Sequence, residues 1–405
     1  MEPDVVREAD SRELTLVDPI PGGGERGQQE FAVLDMRPPR RGLDRARSRH
    51  DRARLQRASW AFTTRRVPRG AACMILPPKG RPRVGDLVLA RIDALGHHGG
   101  LQLVNGRQRQ LFPGSEIVVA YGNRYAPNQF EAVVPDTMGP CHLVASGGIA
   151  ARARSWHAKV TRGPTEITPI GLVADAHGTV MNLRAFALEQ VTSPRGFPPT
   201  VLAVVGTSMD AGKTQTCVHL VRGLIAAGSR VGYAKITGTG AGGDFWSLRD
   251  AGADPVLDFT DIGVPSTYLL ATEEVEATMV ALVNYVASTG VDAMVLEIAD
   301  GILQRETAAL VRGATFARLV GGVVLAAQDS MGALAGFQWL RELSTPLLAL
   351  SGVLTAAPLQ IAEAHAATGL PVYDRDALAG VDVALELLGQ AQHHRDLQFS
   401  ALGVG

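Results

Sequence analysis

Cysteine is scarce. The 405 residues contain only Cys73, Cys141 and Cys217, far apart and with no Cys-x-x-Cys pair. Neither a disulfide framework nor a zinc ribbon is indicated. Aromatic residues make up 5% of the chain, too few for an extended base-stacking or carbohydrate platform. Net charge is also missing: 39 Lys+Arg against 40 Asp+Glu leaves −1, so bulk electrostatics do not make the chain a polyanion binder. No uninterrupted apolar run reaches the roughly 18 residues of a membrane-spanning helix. The start, from Met1 to Asp10, is acidic and polar and lacks the apolar segment of a signal peptide. The expectation is a cytoplasmic protein with no membrane partner.

What is present is a large apolar content, 46%, with 20% charged residues, 45 Gly and 23 Pro. Such a chain can bury a sizeable core, and its glycine-rich turns suit α/β enzymes. Its length suggests two to three domains. Residues 1–58 differ from the rest. They carry a dense run of Arg37, Arg40, Arg41, Arg45, Arg47, Arg49, Arg52, Arg54 and Arg57, opposed only by Asp44 and Asp51. No aromatic interleaves the run, so it reads as a solvated, poorly ordered extension rather than a nucleic-acid arm.

Residues 59–192 read as a β-rich domain. Trp60–Thr64, Val84–Ile92, Leu101–Val104, Glu116–Tyr121 and Phe130–Val134 have the β-branched and alternating character of strands. Asn105-Gly106 is a hairpin turn signal, and Ile170–Leu183 reads as a second hairpin. A small barrel or sandwich is expected. A proline-rich linker, 193–199, follows. Over 200–390 the pattern becomes β-α-β. Strands are expected at Thr200–Val205, Arg230–Ile236, Val291–Ile298, Gly321–Ala327 and Pro346–Leu350. Helices are expected at Thr214–Ala227, Glu273–Ser288, Met331–Leu343 and Leu359–Thr368. The fold class is therefore α/β, a parallel-sheet domain preceded by a smaller β-rich domain and the arginine-rich extension.

The most specific signal follows the first of those strands: Gly206-Thr207-Ser208-Met209-Asp210-Ala211-Gly212-Lys213-Thr214-Gln215. An apolar strand runs into a glycine-bounded loop, then Gly-Lys-Thr, then an amphipathic helix. Backbone N–H groups in such a loop and at the helix N-terminus point at an anion, and the helix dipole adds to the attraction. Lys213 is placed for the β- and γ-phosphates, and the Thr214 hydroxyl for Mg²⁺. Five residues separate Gly206 from Gly212, one more than in the common spacing.

This variant resembles the phosphate loop of the dethiobiotin synthetase type of P-loop protein, Gly-Thr-x4-Gly-Lys-Thr, over about residues 200–375. The resemblance implies a P-loop NTPase fold and a ligase that uses Mg²⁺ and ATP. It also implies a lysine at the end of the second strand that contacts substrate or phosphate, and Lys235 stands there. Read from the sequence alone, Lys235 either meets a ligand at the carboxyl edge of the sheet or reaches out to water. The family places an acidic metal-shell residue at the end of a later strand, and Glu297 matches. A carboxylate ending an apolar strand is costly to bury without a cation. The sequence departs from the family in Glu297-Ile-Ala-Asp300-Gly301, which lacks the glycine-rich continuation, so Asp300 is a possible extra ligand. A third carboxylate is expected among Asp244, Asp250, Asp258 and Asp261, with Asp244 ranked first. Near Ser351 the family's adenine-reading Asn is missing, and no guanine motif stands out. ATP is expected, with GTP left open.

Smaller signals carry little. Cys141 and His142 are strand neighbours and point to opposite faces. His97-His98 and His393-His394 lack a third ligand. Ser146-Gly147-Gly148 reads as a plain turn, or as a lining of the nucleotide site. Two functions remain. One is a ligase that activates a small-molecule acceptor by phosphoryl transfer, with Lys213 and Lys235 as its catalytic cations and Thr214, Glu297 and Asp244 around the metal. The other is a nucleotide-hydrolysing switch acting on a protein partner, with a homodimer among its forms. An arginine arm on nucleic acid is a third, lesser reading.

Overall fold

The computed structural model describes residues 41–192 and 198–401. The first part of the arginine-rich extension, with Arg37 and Arg40, and residues 193–197 of the linker lie outside the described residues. From Arg41 the chain is helical, as α1 (Arg41–Arg57). The end of α1 is anchored: Leu55 is buried, the Asp51 carboxylate accepts a hydrogen bond from the Ile75 amide at 3.1 Å, and Arg54 meets Glu116 at 2.6 Å.

The β-rich region begins with β1 (Ser59–Trp60) and β2 (Met74–Leu76). Then come β3 (Leu87–Ala94), the short hairpin β4 (Gly100–Gln102) and β5 (Gln108–Gln110), β6 (Glu116–Tyr121) and β7 (Arg124–Tyr125). It ends with β8 (Phe130–Val133), β9 (Cys141–Ala145), β10 (Ile149–Trp156) and β11 (Thr165–Ala174). β3 pairs with β6 and with β11, β11 with β9, and β9 with β10, all antiparallel; β10 returns to β6 in parallel. Five strands thus close a small barrel, which removes their free edges. Alternate residues Val88, Ala90 and Ile92 of β3 share one core with Ile117, Val119 and Tyr121 of β6, as the two-residue strand period requires.

The strand expected at Trp60–Thr64 is shorter than the sequence suggests. Only Ser59 and Trp60 pair with β6, and Phe62–Thr64 form a 3-10 turn. The turn carries Phe62 out of the sheet to pack edge-on against Phe245, ring centroids 5.5 Å apart.

The second region is a six-stranded, all-parallel sheet. It contains β12 (Thr200–Gly206), β13 (Val231–Thr237), β14 (Val256–Asp258), β15 (Ala293–Ile298), β16 (Gly322–Ala326) and β17 (Leu347–Ser351). Their spatial order is β14-β13-β15-β12-β16-β17. Every residue of β12 is buried. Val201, Ala203 and Val205 face a core built with Val275, Met279 and Leu282 of α4 (Thr272–Ser288). Leu202 and Val204 face the other core, with Leu220 and Leu224 of α2 (Lys213–Ala226). The continuous apolar run is therefore a strand covered on both faces. Further helices are α3 (Gly242–Asp250), α5 (Arg305–Arg312), α6 (Ala314–Leu319), α7 (Ser330–Leu340), α8 (Pro358–Thr368), α9 (Arg375–Ala379) and α10 (Val381–Ala401). Helix α10 runs past residue 390, and Leu387 and Ala391 seal the α2 side of the sheet. Among the described residues no helix is long and apolar enough to cross a membrane.

Barrel and parallel sheet belong to one compact unit, and they interlock. The Arg65 guanidinium, just after the Phe62 turn, reaches Asp258 at 2.9 Å and Asp261 at 2.5 Å and lies 4.2 Å over the Phe62 ring. The Gly242 amide donates to Gln102 Oε1 at 2.6 Å. The carboxyl edge of the parallel sheet, where ligands bind in such folds, thereby faces the barrel.

Candidate nucleotide and acceptor site

β12 ends at Gly206, and Thr207–Gly212 loop over into α2. Two positions in this loop demand glycine. A Cβ at Gly206 would stand 2.8 Å from the Lys213 side chain, and Gly212 has φ +97°, a left-handed conformation costly for other residues. The Lys213 ammonium donates to the Ser208 carbonyl at 2.8 Å. Burial lowers its pKa, while Glu297 and Asp300 act the other way. The Val353 amide donates to the Ala211 carbonyl at 3.1 Å, and Gln328 Nε2 to the Met209 carbonyl at 3.1 Å. The segments after β16 and β17 thus brace the loop. Ser351 is buried and meets Thr216 at 3.4 Å.

Glu297 and Lys235 are register partners on β15 and β13, so their side chains share one face of the sheet. Lys235 Nζ lies 3.4 Å from Glu297 Oε1 and also pairs with Asp244. Tyr233, two residues before Lys235 and on the same face, donates its hydroxyl to Glu297 Oε2 at 2.8 Å. The Thr214 hydroxyl lies 3.2 Å from both Asp244 Oδ1 and Glu297 Oε1. Burial works against the charge on Lys235 and on Asp244. Their mutual pairing outweighs it, so the lysine pKa is raised and the aspartate pKa lowered.

This oxygen set suits Mg²⁺, which is commonly held by one or two carboxylates together with substrate phosphates rather than by an all-protein cage. Among the described residues no three His, Cys, Asp or Glu gather as such a cage. Of the four aspartates considered, Asp244 is the one that reaches Thr214 and Lys235. Asp258 and Asp261 pair with Arg65, and Asp250 lies exposed at the end of α3.

A cavity of about 220 Å³ opens beside these groups. Met209, Lys235, Asp244 and Asp300 line it from the parallel-sheet region, and His98, Arg124 and Ser146 from the barrel. The Ser146-Gly147 turn is therefore a wall of this cavity. Burial pushes the Asp300 carboxyl up to about 6, against the pull of Lys213, Lys235 and Arg124. His98 Nε2 donates to the Val144 carbonyl at 2.9 Å, and burial, with Arg124 and His97 nearby, drives its pKa down to about 3. His98 is therefore a neutral wall. The sequence offered no signal for Arg124, a single arginine on a two-residue strand.

The remaining candidates do not form sites. Burial pushes the Cys141 thiol up to about 12. His142 Nδ1 is occupied, accepting from the Ala153 amide at 3.0 Å. His97 and His98 stack edge-on at 5.0 Å, and among the described residues no third ligand joins them.

No family model matches the chain, and no curated protein matches it. Solved structures align with part of the chain. The signal recognition particle 54 kDa protein of Aeropyrum pernix, in complex with GDP, aligns over 52% of this chain and 52% of its own, at 17% identity and a TM-score of 0.34. A DUF1611 family protein of Anabaena variabilis aligns over 54% and 66%, at 17% identity and a TM-score of 0.36. The signal recognition particle receptor FtsY of Elizabethkingia anophelis aligns over 48% and 65%, at 18% identity and a TM-score of 0.31. The chain thus spans about half the length of the first and about two thirds of the other two. The P-loop NTPase fold itself is carried by the parallel strand order, the loop after β12 and the Gly-Lys-Thr start of α2.

Proposed function

We propose that the protein is a ligase-type enzyme that uses Mg²⁺ and ATP to activate a small carboxylate acceptor by phosphoryl transfer, as the dethiobiotin synthetase-like loop implies. The observation that carries this reading is the cavity of about 220 Å³ beside Lys235, Asp244 and Met209. A nucleotide-binding loop has here, at its side, a polar chamber of small-molecule size.

In this reading the loop amides from Thr207 to Gly212 and the N-terminus of α2 bind the phosphates. Lys213 stabilises the charge that builds on the transferring phosphoryl group. Thr214, Asp244 and Glu297 would hold Mg²⁺, which would supply positive charge against the phosphates. Lys235 orients the acceptor carboxylate. One carboxylate oxygen attacks the γ-phosphorus, and the bond from that phosphorus to the bridging oxygen breaks. ADP leaves and an acyl phosphate forms. A carboxylate nucleophile carries no proton to remove, so the neutral His98 is not needed as a base.

A second reading, a nucleotide-driven switch, has one observation in its favour. Asn128, in the loop between β7 and β8, donates to the Asp210 carboxylate of the phosphate loop at 2.5 Å. A change in the loop would be felt in the barrel.

Product analysis separates the two. With Mg²⁺, ATP, hydroxylamine and a pool of small carboxylic acids, the ligase yields acceptor-dependent ADP and a hydroxamate from the trapped acyl phosphate. ADP release indifferent to every acceptor would overturn the ligase reading in favour of the switch.

A further inference from the structure

Arg124 is the one strongly basic side chain that the barrel contributes to the cavity lining. It is 6% exposed. Its guanidinium donates to two neutral acceptors, the Val144 carbonyl and Gln129 Oε1, the latter at 2.7 Å. Among the described residues no carboxylate forms an ion pair with it, and its Nε has no hydrogen-bond partner. A guanidinium stays charged in a protein, and a buried charge is retained where something compensates it.

The surroundings supply little of that compensation. His98 shares the Val144 carbonyl with Arg124 and is neutral. Asp300, the carboxylate that acts on it, also faces Lys213 and Lys235. Lys213 and Lys235 also have Glu297, and Lys235 has Asp244, whereas among the described residues Asp300 is the one carboxylate that acts on Arg124, without an ion pair. Arg124 differs from Arg65, the other deeply buried arginine at this boundary, which forms ion pairs with two aspartates.

We propose that Arg124 is the specificity residue of the cavity and binds a second carboxylate of the acceptor, not the one that Lys235 orients, so that the barrel selects diacidic molecules for the phosphate loop. The inference rests on the cavity being the acceptor site, as in the proposed function. Gln129 orients the guanidinium from one side, and the fork geometry of arginine favours a planar carboxylate over a neutral amide of the same shape.

The test is calorimetric binding to the full chain, with Mg²⁺ and ADP present. The probes are the straight-chain dicarboxylates from malonate to adipate, each beside its monoamide, so that Lys235 has a carboxylate in both and only the second group differs. In the wild type at least one dicarboxylate should bind about tenfold or more tighter than its monoamide. Arg124→Gln should abolish that preference. Because Arg124 is buried, this variant could misfold, so Gln129→Glu is the companion. It keeps the contact to Arg124 and adds a built-in carboxylate that satisfies the guanidinium, so the preference should vanish while the melting temperature holds. Dicarboxylates that bind no better than their monoamides in the wild type would overturn the proposal. A preference that persists in Gln129→Glu would do so as well. Failure of the phosphoryl-transfer reading looks different: carboxylates bind through Arg124, yet no acceptor-dependent ADP appears.

Discussion

Lys235 and Glu297 face each other across adjacent parallel strands, Nζ to Oε1 at 3.4 Å, and Asp244 closes on the same ammonium from α3. The lysine therefore competes with any metal for the oxygens that Thr214 bridges. Glu297→Gln should raise the Mg²⁺ concentration for half-maximal nucleotide binding by about tenfold or more. Lys235→Met should lower it about threefold, because two carboxylates lose their competing cation, while acceptor-dependent turnover falls. A fluorescent nucleotide titrated at fixed Mg²⁺ levels reads both. An unchanged Mg²⁺ dependence in Glu297→Gln would remove it from the metal shell.

Arg65 clasps the two regions. Its ion pairs with Asp258 and Asp261 are almost fully buried, at 2.9 and 2.5 Å. Removing one partner of such a cluster leaves charge uncompensated and typically costs about 3–5 kcal/mol. Arg65→Met should lose about that much in urea denaturation. A loss below about 1 kcal/mol, the range of exposed pairs, would contradict the clasp.

His98 sets an acid limit on stability. Its ordinary pKa of 6.5 falls to about 3 in the fold, chiefly through burial. On acidification the unfolded chain takes up the proton first. The contribution of neutral His98 is complete above about pH 6.5 and is lost as pH falls from there toward 3, at about 1.4 kcal/mol per pH unit. His98→Gln keeps an N–H for the Val144 carbonyl and removes the titration. Denaturation at pH 7 and pH 5 should show a shallower acid loss in that variant. Equal slopes would contradict a buried neutral His98.

Much of the parallel sheet was legible because its strands are unbroken apolar runs and its long helices carry a clear period. The phosphate loop, Lys235 and Glu297 were legible because each sits at the end of such a run. Asp244 was harder. It rides on α3, whose start, Gly242-Gly243, reads as loop, and the helix is stabilised by packing Leu248 rather than by its pattern. Arg124 was invisible, since a two-residue strand has no period and the cavity exists only where barrel and sheet meet. The Trp60–Thr64 strand ended early because burying Phe62 against Phe245 won over β propensity.

The most direct measurement is nucleotide turnover by the wild type and by Lys213→Ala, with Mg²⁺ and the carboxylate pool. The wild type should release ADP in an acceptor-dependent way. Lys213→Ala should fall by about a hundredfold or more, with its circular dichroism and melting temperature unchanged. Turnover in Lys213→Ala at the wild-type rate would contradict the assignment of Gly206–Thr214 as the catalytic phosphate loop.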